Sequence, residues 1–96
     1  MYRIADTRGT GKTSRLLLLA KENNGVVVCM HPKAMKEKAY QYGLTGIDYV
    51  SYNEYIEFLD GHSNKICAGR KIFIDELELF LTRFSPNIVG YTVSLE

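Results

Sequence analysis

The chain has 96 residues, enough for one small domain with a single modest core. Hydrophobic residues make up 46% and charged residues 24%, a globular composition that excludes a disordered chain. The 12 Lys and Arg residues nearly balance the 11 Asp and Glu residues, and the formal net charge of +1 gives no electrostatic case for general nucleic-acid binding.

No targeting or membrane-spanning segment is predicted. Only a few apolar residues precede Asp6, which is too few for a signal-peptide core, and the apolar run over residues 16–20 is far shorter than a membrane span. We therefore expect a cytoplasmic protein with no membrane partner. In that compartment Cys29 and Cys67 stay reduced, and we expect them to be buried as small hydrophobic residues.

The first half of the chain alternates short apolar runs with helical periods, which is typical of an α/β domain. The pattern predicts a strand over residues 2–5, a glycine-containing loop, and a helix over residues 12–23. That helix is apolar nearly all round at residues 16–19, as expected for a helix buried against a sheet. A β-branched run predicts a second, fully buried strand over residues 26–30.

The second half continues the alternation. Pro32 suits the first turn of a second helix that ends at Gly43, and residues 47–50 are predicted as a short strand. Ser51 and Glu54 form an S-x-x-E capping box for a third helix. A buried strand over residues 71–75 leads into a fourth helix over residues 77–84, and residues 88–95 are predicted as the last strand.

These elements predict a single three-layer α/β domain over residues 1–96. We expect a mostly parallel sheet of about five strands with helices on both faces. In such a sheet, ligand sites form at the edge where the strands end, so residues that follow strands are the first candidates for function.

The loop between the predicted first strand and first helix has the parts of a phosphate-binding site. Glycines let backbone N–H groups turn inward around a phosphate, a lysine reaches the outer phosphates, and a Thr hydroxyl can hold Mg²⁺. The positive N-terminus of the following helix adds to this. Asp6 departs from the full pattern G-x-x-x-x-G-K-[ST], because it occupies the first glycine position. The predicted nucleotide-binding residues are Arg8, Gly9, Thr10, Gly11, Lys12, Thr13 and Ser14.

A second candidate site follows the predicted strand over residues 71–75. Asp75 and Glu76 stand at the end of an apolar run, which places them on the rim of a parallel sheet. Asp75 can hold Mg²⁺ through a water, and Glu76 can polarise an attacking water as a general base. Acids are also favoured in the first turn of any helix, so the pair gains its meaning from the lysine loop upstream.

The two segments together resemble the P-loop NTPases, in particular the division with an additional strand and a catalytic glutamate. That division includes AAA+ proteins, RecA-like ATPases and superfamily 1 helicases. Residues 9–13 resemble the Walker A core and residues 72–76 the Walker B motif. The resemblance implies that Lys12 binds the β- and γ-phosphates, that Thr13 and Asp75 serve Mg²⁺, and that Glu76 activates water. It also implies a polar γ-phosphate sensor, for which Thr92 or Ser94 stands in the matching place.

Two functions of different classes follow from this reading. The leading one is Mg²⁺-dependent binding of a purine nucleoside triphosphate, ATP in the first instance, with slow hydrolysis left open. The alternative is a non-enzymatic inhibitor or adaptor that docks on a larger protein machine, as small stand-alone versions resemble products of phages or other mobile elements. A third arrangement, self-association that completes the site, would give Arg70 or Arg83 a role; otherwise both are expected on the solvated surface.

Overall fold

A computed structural model describes residues 3–4 and 11–92, which form a three-stranded parallel sheet and four helices. The α/β class predicted from the alternating pattern is therefore confirmed. In chain order the elements are α1 (Lys12–Glu22), β1 (Val26–Cys29), α2 (Pro32–Gln41), β2 (Asp48–Ser51), α3 (Tyr52–Leu59), β3 (Ile72–Ile74) and α4 (Leu77–Phe84).

The central strand is β1, since the strand order is β2-β1-β3 and both pairings are parallel. Val27 stands opposite Tyr49 on one side and Phe73 on the other. All four residues of β1 are buried, as its continuous β-branched run predicts for a strand covered on both faces.

Side chains alternate across the sheet and divide the core into two layers. On one face, Val27 and Cys29 of β1 pack in a cluster with Leu17 and Ala20 of α1 and with Ala39 of α2. On the other face, β1 and β2 pack against α3 and α4 through a second buried cluster, which comprises Val26, Val28, Val50, Tyr52, Cys67 and Phe80. The described residues thus form the predicted three layers.

Two predicted helix starts are confirmed in detail. Pro32 is in the first turn of α2. At α3 the Ser51 hydroxyl accepts from the Glu54 N–H at 3.1 Å, and the Glu54 carboxylate accepts from the Ser51 N–H at 2.9 Å. This reciprocal capping box fixes the point where the chain leaves β2 and enters α3.

The predicted five-stranded sheet is not present in the described residues. Arg3 and Ile4 form no strand, and Tyr2 and Ala5 lie outside the described part of the chain. Residues 88–92 also form no strand, and residues 93–96 lie outside. The Ile88 N–H bonds back to the Ser85 carbonyl in a turn, and Val89 is 96% exposed. A β-branched pattern forms a strand only where a neighbouring strand pairs with it, which the pattern alone cannot show.

Two other expectations need correction. The all-round apolar stretch of α1 is buried on one side only, because Leu18 is 47% exposed. Arg70 is half-buried rather than solvated: its guanidinium bonds to the Asn24 and Gly25 carbonyls and pairs with Asp48 at 3.1 Å. Arg70 therefore ties together the edge of the sheet where the strands begin.

Cys29 and Cys67 are buried free thiols, as predicted. Burial, with a smaller effect from the Asp75 charge, raises the pKa of Cys29 to about 12, so this thiol stays protonated and unreactive. Among the helices described within residues 11–92, none is long and apolar enough to cross a bilayer.

Among the described glycines, Gly25, which joins α1 to β1, meets its neighbours most closely. A Cβ at this position would lie 2.5 Å from Phe73 Cε2 and 2.9 Å from the Lys71 carbonyl oxygen. We expect Gly25→Ala to lower the free energy of unfolding by about 1–3 kcal/mol, the usual cost of overpacking a core. Urea denaturation measures this. Gly90→Ala is the matched control, because nothing lies within 4 Å of its Cβ position and its effect should stay within about 0.5 kcal/mol. Equal effects of the two substitutions would contradict the packing account.

Candidate functional site at the carboxyl edge of the sheet

The carboxyl ends of the three parallel strands lie at one edge of the sheet, and α2, α3 and α4 begin there. A side chain caps the N-terminus of α3, whereas no side-chain cap bond forms at α1, α2 or α4 within residues 11–92. Uncapped helix N-termini present backbone N–H groups and partial positive charge. This edge is therefore suited to an anion.

Lys12 and Glu76, far apart in the sequence, meet at this edge. Lys12 Nζ lies 3.4 Å from Glu76 Oε1, and the two side chains remain 31% and 42% exposed. Lys12 is the first residue of α1, and Glu76 is the N-cap of α4. The contact brings the lysine of the predicted loop to the acidic pair after β3.

The start of α1 shows why the loop needs glycine at its last position. Gly11 has φ 79°, a left-handed conformation that other L residues adopt only at a cost. The Ser14 hydroxyl donates to the Gly11 carbonyl at 2.8 Å, which steadies the first turn. Thr13, half-buried, stands between them. Asp6, Arg8, Gly9 and Thr10, on which the rest of the loop prediction depends, lie outside the described residues.

Asp75 and Glu76 form a sharp corner between β3 and α4. The Asp75 N–H donates to the Val28 carbonyl at 2.9 Å, which continues the pairing of β3 with β1. Glu76 has φ 57° and ψ 72°, a left-handed conformation that costs a non-glycine residue about 1–2 kcal/mol. Such strain persists only where the surroundings hold it.

Tyr52 stabilises this conformation of the corner. Its hydroxyl donates to the Asp75 carbonyl at 2.5 Å and lies 3.3 Å from the Glu76 carbonyl oxygen. Tyr52 is the first residue of α3, and its ring packs edge-on against Phe80, with centroids 5.6 Å apart. Helical spacing identifies the packing but gives no sign of the hydroxyl contact, because that contact crosses to a distant segment.

At the Asp75–Glu76 corner, burial and neighbouring negative charge disfavour the ionised forms of Asp75 and Tyr52. Burial raises the pKa of the half-buried Asp75 carboxyl, the Glu76 charge raises it further, and Lys38 and Lys12 partly oppose them. Burial first, and the Asp75 charge second, raise the pKa of Tyr52 to about 12. The phenol therefore remains a neutral donor toward the two carbonyl oxygens.

The two residues predicted to hold Mg²⁺ would fit the ion only as part of a larger shell. Thr13 offers a hydroxyl and Asp75 a carboxylate, the hard ligands that Mg²⁺ prefers. Within residues 3–4 and 11–92, no group of three or more His, Cys, Asp or Glu side chains could hold a metal ion. Two such protein ligands match an ion that takes its remaining ligands from phosphates and water.

The other predicted site residues are not brought together here. Thr92 is exposed and belongs to no strand, and Ser94 lies outside the described residues. Arg70 is at the opposite edge of the sheet, and Arg83 is exposed on α4. A shallow cleft of about 310 Å³ between α4 and residues 88–91 does not include Lys12 or Glu76.

No protein-family model, curated protein or solved structure matches this chain. Function is therefore inferred from the residues at the carboxyl edge. They bring Lys12, at the N-terminus of α1, to the carboxylates of Asp75 and Glu76, and lysine and carboxylate groups are suited to a phosphorylated ligand and a divalent cation.

The raised pKa of Asp75 has a measurable consequence for stability in metal-free buffer. Because the folded-state pKa lies above that of the unfolded chain, ionising Asp75 at neutral pH costs folding free energy. We expect Asp75→Asn to unfold at higher urea concentration than the wild type at pH 7. The difference should shrink as the pH falls and should disappear below the ordinary carboxyl pKa of 3.8, where the wild-type carboxyl is protonated in both states. A variant less stable than the wild type at pH 7 would contradict this assignment.

Proposed function

We propose that the chain is a P-loop NTPase-like domain that binds a purine nucleoside triphosphate, ATP in the first instance, together with Mg²⁺. The observation that supports this most is the 3.4 Å contact between Lys12 Nζ and Glu76 Oε1. A lysine at a helix N-terminus beside an acid that follows a parallel strand is the arrangement phosphoryl chemistry needs.

Each residue has a defined role in this proposal. Lys12 binds the β- and γ-phosphates, while Gly11 and the preceding Arg8, Gly9 and Thr10 surround them with backbone N–H groups. Thr13 and Asp75 hold Mg²⁺, which neutralises charge on the phosphate oxygens. Ser14 steadies the first turn of α1 through its bond to the Gly11 carbonyl.

Glu76 acts as the general base if the chain hydrolyses its ligand. Its carboxylate lies 3.4 Å from the Lys12 ammonium group. A bound triphosphate competes for the same ammonium group, so ligand binding releases Glu76 to face a water molecule. Any hydrolysis is expected to be slow, since the sequence identifies no arginine that would stabilise the transferred phosphoryl group.

The proposal includes the larger sheet expected for this class of domain. Strand β3 is an edge strand within residues 11–92, and Leu77 and Phe84 of α4 are 45% and 53% exposed. A further strand beside β3 would cover apolar surface of this kind.

A non-enzymatic inhibitor or adaptor is the second candidate. Besides the α4 residues above, Leu59 and Leu79 are 52% and 43% exposed, and side chains of this kind are common where proteins dock. Docking on a protein needs no phosphate contact, so it should not depend on Lys12, whereas nucleotide binding should.

Calorimetric titration with ATP and Mg²⁺ tests the proposed function. The wild type should bind, and Lys12→Ala should bind at least tenfold more weakly, because a charge-assisted contact to phosphate is lost. Lys36→Ala, which removes an exposed charge from α2, is the matched control and should bind like the wild type. No heat from the wild type, or equal affinity of all three proteins, would refute nucleotide binding and favour the adaptor.

Glu76→Gln in the same titration separates binding from turnover. The amide cannot act as a base, so any hydrolysis should fall by about 10²–10⁴. Binding should tighten by up to about fivefold, since a partly exposed ion pair worth about 0.2–1 kcal/mol no longer competes for Lys12. Hydrolysis at the wild-type rate would show that Glu76 is not the base.

A further inference from the structure

We propose that Tyr52 is the positioning residue of the Asp75–Glu76 corner: its hydroxyl holds the backbone turn that presents these two carboxylates to the ligand. The inference rests on the proposed function, because the ligand in question is the nucleoside triphosphate with Mg²⁺. Through Tyr52, its first residue, α3 would then influence the geometry of the site.

The strained backbone of the Asp75–Glu76 corner must be stabilised by contacts from another segment. Glu76 occupies a left-handed conformation without the freedom of glycine, and it is the N-cap of α4 without making a side-chain cap bond. The first backbone bond of α4 runs from the Phe80 N–H to the Glu76 carbonyl at 3.1 Å. The Tyr52 hydroxyl donates to the neighbouring Asp75 carbonyl and lies 3.3 Å from the Glu76 oxygen. One phenol thus contacts both peptide oxygens of the corner.

Tyr52 is itself well anchored. It is 3% exposed, its ring meets Phe80 edge-on, and it directly follows Ser51 within the Ser51–Glu54 capping box. Because its backbone and its ring are both held in place, the Tyr52 hydroxyl also has a fixed position, and it restrains the carbonyl groups that it contacts. The β2–α3 junction is therefore connected rigidly to the β3–α4 corner.

The backbone conformation of the corner in turn determines where the Asp75 and Glu76 carboxylates lie. Glu76 reaches Lys12 from its strained backbone position, and Asp75 stands half-buried one residue before it. If the hydroxyl is lost, the ring packing can remain while the turn relaxes. Asp75 would then be poorly placed for Mg²⁺, so the gain in ATP affinity that Mg²⁺ provides should fall.

Tyr52→Phe is the test, because it removes only the hydroxyl. Tyr55→Phe is the matched control: Tyr55 is on the same helix and packs on Phe58 and Phe80, and its hydroxyl makes no hydrogen bond to the described residues. ATP affinity is measured by calorimetry for each protein, once with Mg²⁺ and once with a chelator. In Tyr52→Phe the Mg²⁺-dependent gain should shrink by about two- to tenfold, the worth of one hydrogen bond. A variant that merely loosens the fold would lose affinity equally in both conditions.

Hydrogen exchange gives a readout that needs no nucleotide. The Asp75 and Phe80 amides, which bond to the Val28 and Glu76 carbonyls, should exchange about two- to tenfold faster in Tyr52→Phe. The Val26 amide, bonded to Lys71 at the opposite edge, should not change. Tyr55→Phe should leave all three amides as in the wild type.

The outcomes separate the two proposals. If the wild type binds ATP with Mg²⁺ but Tyr52→Phe keeps the full Mg²⁺-dependent gain and wild-type exchange, the role of Tyr52 is overturned and the proposed function stands. If the wild type does not bind, the proposed function is overturned, and with it the nucleotide role of Tyr52. A combined Asp75→Asn and Tyr52→Phe variant should bind no worse than Asp75→Asn alone, and additive losses would contradict action through Asp75.

Discussion

The parallel pairing of β1 with both of its neighbours is the constraint on which the rest of the structure depends. Parallel strands share one carboxyl edge, so each helix that follows a strand begins at that edge. The burial of β1 on both faces makes this pairing the core of the domain. Helix N-termini and the polar residues after the strands therefore gather in one place, whatever their distance in the sequence.

The carboxyl edge combines two features that oppose stability with an ion pair that a ligand could separate. A carboxyl that burial makes harder to ionise adjoins a residue in a left-handed conformation, and a lysine and a glutamate pair where a ligand could separate them. The opposite edge is different, because Arg70 ties strand ends together with ordinary hydrogen bonds. Strain and unusual ionisation gather at functional sites, which favours the carboxyl edge over the Arg70 edge.

Much of this was predictable from local patterns. The hydrophobic period gave all four helices, the β-branched run gave β1, and S-x-x-E gave the α3 cap, because each signal lies within a few neighbouring residues. The left-handed Glu76 and the Tyr52 hydroxyl contact were not predictable, since both depend on segments that meet only in the fold. The strand predicted over residues 88–95 failed in residues 88–92 for a related reason: extended residues need a partner strand, and pattern alone does not supply one.

The central claim is that Lys12 and Glu76 meet in the free protein and are separated by nucleotide. Zero-length carbodiimide coupling tests it directly, because this chemistry joins an amine to a carboxylate only when the two are in contact. Mass spectrometry of the digested protein should find an amide between the peptides that carry Lys12 and Glu76, and saturating ATP with Mg²⁺ should abolish it. Absence of the cross-link from the folded, nucleotide-free protein, or a cross-link unaffected by nucleotide, would contradict the account.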